Sequence, residues 1–279
     1  MKIMNYLKGN PDKVKKVARD VLIVICGITF LFSAYKVVTA YLEYEKGGTT
    51  YSEIRFDVVT ENEITEDTTD SLSNDAEEPF EPEKILEDPK EEAPILVDFD
   101  ELLEINPDVV GWIYSPDTPI NYPVAQGKDN KEYLRHSLRG KYNIAGTIFL
   151  DYRNNADFTT GFNVLYGHNL YTQEMFGSLL NYKKEGYYEE HPVMWLLTPQ
   201  GDYKLHVIGG CTLKANSELY NISISDENFG TVLLNTLDDS DFTTQVDRSQ
   251  YDNYLVLSTC SYEYDNARYV LVTCMEPLF

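Results

Sequence analysis

The residues best suited to chemistry lie near the C-terminus, in Leu255-Val-Leu-Ser-Thr-Cys-Ser-Tyr-Glu-Tyr-Asp-Asn-Ala-Arg268, continuing Tyr-Val-Leu-Val. An apolar run climbs to Cys260, a polar tip follows, and Arg268 opens a second apolar run. This pattern predicts two strands, Tyr254–Cys260 and Arg268–Cys274, joined as a hairpin. Centred on Tyr264, the hairpin pairs Cys260 with Arg268 and Tyr254 with Cys274. Directly paired side chains lie about 5 Å apart on one face. A guanidinium beside a thiol favours the thiolate and can stabilise an oxyanion during acyl transfer. The bland alternatives are a small buried cysteine and a surface ion pair from Arg268 to Glu263 or Asp265. The register also sets Cys274 about 20 Å along the strand from Cys260, beyond disulfide reach.

A thiol nucleophile needs a base, and the chain has 4 histidines. His136 falls on a polar helical stretch, His191 precedes a proline in an acidic loop, and His206 lies inside a strand. His168 directly follows an apolar strand, in Leu165-Tyr-Gly-His-Asn169, where Gly167 allows a tight turn. It is the candidate base; an ordinary loop histidine is the alternative. The sequence has no Cys-x-x-Cys, no His-Glu-x-x-His, no phosphate-binding glycine loop and no EF-hand pattern. No metal or other cofactor is expected.

These residues need a scaffold. From Asp98 onward the composition is globular. Asp98 is placed to cap a short helix ending at Asn106-Pro107. Strands are expected at Gly111–Tyr114, Ile120–Val124 (bent or at an edge at Pro123), Thr147–Tyr152, Phe162–Tyr166, Val193–Thr198 and Tyr203–Gly209. Helices are expected at Asp129–Leu138, Gln173–Tyr182 and Asn228–Leu237. The resulting fold class is mainly β: about eight short strands closing into a barrel with helices on its rim.

Ahead of this domain lie three other segments. Residues 1–20 are basic, with Lys13, Lys15, Lys16 and Arg19 close to the next segment. Residues 21–40 form an apolar run long enough to span the roughly 30 Å hydrocarbon core. The charge asymmetry puts the N-terminus in the cytoplasm and the remainder outside, a single-pass signal-anchor in contact with membrane lipid. A cleaved signal peptide ending near Val38-Thr39-Ala40 is the alternative. Residues 41–97 are rich in Glu, Asp, Ser and Thr and predict a disordered spacer. The formal net charge of -23 argues against a nucleic-acid partner. Three of the four cysteines lie outside the apolar run, so at least one thiol stays unpaired within the chain.

Residues 98–279 resemble class B sortases. Leu257-Ser-Thr-Cys260 with Arg268 resembles their cysteine–arginine signature, and Tyr166-Gly-His-Asn169 their histidine motif. Gly111-Trp-Ile, Ile120-Asn-Tyr-Pro-Val124, Asp129-Asn-x-x-Tyr-Leu134, Gly146-Thr-Ile-Phe-Leu-Asp151 and His191-Pro192 are similar to further class B stretches. The resemblance implies an eight-stranded sortase barrel and a cysteine transpeptidase. Cys260 would cleave a C-terminal Asn-Pro-x-Thr-type sorting signal of a secreted protein. A peptidoglycan amine would then resolve the thioacyl-enzyme. His168 would be the acid and base, and Arg268 would stabilise the oxyanion. Asn130, Leu134, Ser258 and Tyr220 match signal-binding positions, and calcium is not implied. Cys274 stands where such relatives would be expected to carry a small or β-branched residue. Two other functions fit the residues alone: a hydrolytic cysteine peptidase, and a surface-anchored binding module with a structural cysteine.

Overall fold

The structure is a computed structural model, and it describes residues 11–62, 92–221, 223, 225 and 227–279. Two compact units result, Met1–Lys46 and Gly47–Phe279. The first carries most of helix α1 (Pro11–Val58). Within it Val14–Thr39 is long and apolar enough to cross a bilayer, and its large apolar side chains are exposed. From Val21 to Tyr35 this exposed stretch has no charged residue, which suits lipid rather than water.

The second unit is built on a closed mixed barrel. Its strands are β3 (Val109–Tyr114), β4 (Asn121–Ala125), β5 (Ile148–Leu150), β6 (Phe162–Tyr166), β7 (Val193–Leu197), β8 (Tyr203–Lys214), β9 (Tyr254–Cys260) and β10 (Ala267–Pro277). Around the barrel the order is β10-β8-β7-β3-β4-β5-β6-β9. The β4–β5 and β6–β9 pairings are parallel, and the rest are antiparallel. Trp112, Val124, Leu150, Leu165, Leu205, Leu257 and Leu271 are almost wholly buried. Pro123 sits where β4 has only β3 beside it, opposite Trp112, and β5 joins from Val124 onward. Its missing N–H therefore costs no ladder bond on that side.

Helices decorate the barrel. Helix α2 (Phe99–Ile105) starts at Asp98, whose carboxylate accepts from the Glu101 N–H at 3.0 Å. Helix α3 is a single turn at Tyr187–Glu190, and α4 covers Phe229–Asp238. Helix α4 packs closely on β8, where a Cβ on Gly209 would meet the Leu237 methyl at 2.5 Å and push that side chain aside.

Two expected helices are corrected. Asp129–Leu138 holds only a 3-10 turn at Glu132–Leu134. The carbonyls that would propagate an α-helix are taken from outside it. Tyr133 O accepts from Thr147 N, Arg135 O from Asn143 N, and His136 O from the Thr147 hydroxyl. Gln173–Tyr182 is likewise a 3-10 segment, Gly177–Lys183. Gln173 and Met175 have φ of 66° and 53°, which breaks any helix at its start.

The spacer over 41–97 is corrected at both ends, while residues 63–91 lie outside the described residues. Tyr51, Ile54 and Val58 are buried at helical spacing. The Tyr51 hydroxyl donates to Gly146 O at 2.5 Å and lies 2.8 Å from the Thr147 hydroxyl. Arg55 donates to Asn121 O at 2.8 Å and lies over the Tyr122 ring. After the helix, β1 (Val59–Glu61) pairs with β2 (Ile95–Val97). The compact unit thus begins about fifty residues before Asp98, at Gly47. Acidic composition concealed this short apolar stripe. Ile54→Ala in Gly47–Phe279 is expected to lower unfolding stability by about 2–4 kcal/mol, measured by urea denaturation. An unchanged midpoint would mean that the helix end contributes nothing to the domain.

Candidate active site

The β9–β10 hairpin has the expected register: Cys260 pairs with Arg268, and Tyr254 with Cys274. Cys260 closes β9 and is half-buried. The tip is pinned from the side, because Glu263 pairs with Lys183 and accepts from the Ser261 hydroxyl. Burial raises the Glu263 carboxyl, but Lys183 and Ser261 outweigh it and bring it down to about 2. Lys183 also donates to the Thr212 hydroxyl at 2.8 Å and lies over the Tyr269 ring. With Glu263 so engaged, the surface ion pair considered for Arg268 does not form. Among the described residues its guanidinium contacts no carboxylate, and it donates to Ala267 O at 2.9 Å.

The histidine arrives by a different pairing. Strand β6 lies parallel to β9, with Tyr166 beside Ser258. Beyond β6 the same alignment continues through side-chain and loop bonds. Gly167 N donates to Ser258 O at 3.1 Å, and the Thr259 hydroxyl donates to Gly167 O at 2.8 Å. Asn169 Nδ2 donates to Cys260 O at 2.8 Å. This brings the His168 backbone level with Cys260. Gly167 has no positive φ, so its role differs from the turn expected. A Cβ there would meet Ile148 at 2.5 Å and Phe176 at 2.6 Å, so close packing demands the glycine.

His168 Nε2 lies 2.6 Å from Leu134 O. A carbonyl only accepts, so Nε2 carries the proton and Nδ1 keeps its lone pair. Burial lowers the His168 pKa below 6.5; the Leu134 contact works against this, and Arg135 adds to it. The imidazole is therefore neutral at neutral pH. Among the described residues no hydrogen bond joins it to Cys260.

Cys260, His168 and Arg268 line one cleft of about 360 Å³. Asn130, Leu134, Ser258 and Tyr220 line it too, so all seven residues singled out in the sequence converge there. Tyr166 stacks on Tyr220 at 6.3 Å and lies 5.3 Å from Phe149, giving the cleft an aromatic wall. The hydroxyls of Tyr220 and Ser258 lie 2.8 Å apart. Arg153, Phe149, Tyr166 and Thr259 complete much of the lining and were missed in the sequence. Arg153 and Asp151 had one local signal, an Asp-x-Arg directly after an apolar strand.

The other thiols are set apart by burial. It pushes Cys211 and Cys274 up to about 12, helped for Cys211 by Asp239 and Asp241 and opposed for Cys274 by Arg248. All four cysteines are free, and among the described residues no cluster of metal-ligating side chains occurs.

Two sortase B proteins match the chain. That of Staphylococcus aureus (strain NCTC 8325 / PS 47) is 32% identical over 167 residues, covering 60% of this chain and 68% of the relative. The chain belongs to the sortase B family. The enzyme is thus a cysteine transpeptidase. Sortase B of Listeria monocytogenes is 31% identical over 176 residues, covering 61% of the chain and 71% of the relative. A solved Staphylococcus aureus sortase B–substrate complex superposes with a TM-score of 0.60 at 30% identity, over 65% of this chain and 85% of that one. No family model matches the chain.

The depressed His168 has a measurable sign. The unfolded imidazole takes its proton first, so this group removes stability as pH falls below about 6.5. In NMR titration of the folded domain, the His168 ring is expected to protonate below 6.5. A midpoint above 6.5 would contradict the burial of this ring.

Proposed function

We propose that this enzyme is a membrane-anchored sortase that joins secreted proteins to the cell wall, with Cys260, His168 and Arg268 as its catalytic residues. The observation that carries this reading is the convergence of thiol, imidazole and guanidinium in one cleft with an aromatic wall. Cys260 Sγ attacks the carbonyl carbon of the Thr in an Asn-Pro-x-Thr-like signal, and its proton passes to His168 Nδ1. Arg268 stabilises the oxyanion. The C–N bond breaks, His168 returns the proton to the leaving amine, and a thioester remains on Cys260. A peptidoglycan amine attacks the thioester and gives a proton to His168. The C–S bond breaks, and the thiol is restored as His168 gives up that proton.

Asn130, Leu134, Tyr220 and Ser258 bind the signal. The apolar run over residues 21–40, nearly all of it within Val14–Thr39, is the single-pass anchor. Lys13, Lys15, Lys16 and Arg19 favour a cytoplasmic N-terminus and an extracytoplasmic catalytic domain.

Incubation with an Asn-Pro-x-Thr peptide and an added amine should give an amine-linked product by mass spectrometry. A hydrolysed product alone, at any amine concentration, would make the enzyme a peptidase. Arg268→Lys should lower kcat/KM by about a hundredfold, because lysine lacks the planar fork. A fully active lysine variant would remove Arg268 from the site.

A further inference from the structure

The cleft contains a second guanidinium, Arg153, whose hydrogen bonds differ from those of Arg268. Arg153 Nε and Nη2 both donate to Asp151, at 2.8 and 2.7 Å. Nη2 also donates to Tyr220 O at 2.8 Å, and Nη1 donates to Asn221 Oδ1 at 3.0 Å. Four bonds thus use nearly all of the five N–H donors that a guanidinium offers. Little remains for a substrate, although the residue lines the cleft.

Asp151 is the other half of the unit. It is 1% exposed, directly after β5, and is saturated by its neighbours. Besides Arg153 it accepts from Asn130 Nδ2 at 3.0 Å and from the Tyr166 hydroxyl at 3.0 Å. Asn130 is fixed at its other end as well, because Oδ1 accepts from Tyr152 N at 3.0 Å. The ion pair therefore ties four separate stretches of the cleft wall together. These are the β4–β5 connection at Asn130, the end of β5, the end of β6 at Tyr166, and the connection after β8 at Tyr220–Asn221.

We infer that Arg153 and Asp151 are positioning residues. Their pair clamps the Tyr220–Asn221 connection and Asn130 into one preformed groove for the sorting signal, without touching the reacting atoms. This rests on the sortase reading of the same cleft. A bidentate pair on a buried carboxylate, with its remaining oxygen sites filled, holds its partners in one geometry even though the Arg153 side chain itself is partly exposed. Groove residues on separate loops would otherwise have to be ordered at each binding event, at a cost in affinity. The chemistry at Cys260 draws on β9, β10 and the His168 loop, so the clamp acts on binding rather than on the chemical step.

The test uses the full chain and two variants. Arg153→Lys keeps the charge but loses the fork. Asn221→Ala severs only the outer arm, at an exposed position. Amide hydrogen exchange at Tyr220 and Asn221 should quicken about tenfold in Arg153→Lys and less in Asn221→Ala. In a Cys260→Ala background, the dissociation constant for an Asn-Pro-x-Thr peptide should rise about tenfold with Arg153→Lys and about threefold with Asn221→Ala. With Cys260 intact, alkylation by iodoacetamide should keep its wild-type rate, which a general loosening of the fold would not allow. Unchanged exchange at 220–221 overturns the clamp, and so does faster exchange with unchanged peptide affinity. If Arg153→Lys fails to fold, Asn221→Ala decides on both readouts. Wild-type protein that binds no peptide would sink the sortase signal reading instead, while the exchange measurement still judges the clamp.

Discussion

The parallel pairing of β6 with β9 is the constraint on which the site depends. Cysteine and arginine meet through a local hairpin, but the histidine comes from a strand 92 residues earlier. Pairing Tyr166 with Ser258 sets a fixed offset, and Gly167, Thr259 and Asn169 carry it past the strand end to His168 and Cys260. Such bonds are geometrically demanding. A one-residue slip would turn every side chain of β9 to the other face. The glycine is part of the same constraint, because any Cβ there would displace Ile148 and Phe176.

Burial then distributes the chemistry. Two thiols sit in apolar surroundings that keep them protonated, and the third stands half-exposed at a strand end beside a guanidinium. Lys183 engages Glu263, which leaves Arg268 facing the cleft with no carboxylate partner among the described residues. The imidazole is held neutral, with one nitrogen fixed by a backbone carbonyl and the other open. A neutral imidazole can take up and return a proton without leaving a lasting buried charge, which would be costly in a partly desolvated cleft.

The legible parts of the sequence were those governed by local rules. The hairpin register followed from two contiguous apolar runs and a short tip, and the structure reproduces it pair for pair. Strand β6 and the Asp98 cap were equally local. The fold class followed from counting short strands. What could not be read was nonlocal. Nothing along the chain announces that β6 lies parallel to β9. The 3-10 turn at Glu132–Leu134 looked helical because its carbonyl partners, Thr147 and Asn143, lie on another stretch. Little along the chain marks the Asp151–Arg153 pair, because an ion pair two residues apart usually sits on the surface. Only the fold shows its carboxylate buried and shared by four segments.

The most direct test of the central claim is to trap the covalent intermediate. The enzyme would be mixed with a sorting-signal peptide in the absence of amine, quenched in acid, digested and read by mass spectrometry. A thioacyl adduct should sit on the peptide carrying Cys260 and disappear when an amine is added. An adduct on Cys211 or Cys274, or cleavage of the signal with Cys260 never acylated, would contradict the placement of the nucleophile at the end of β9.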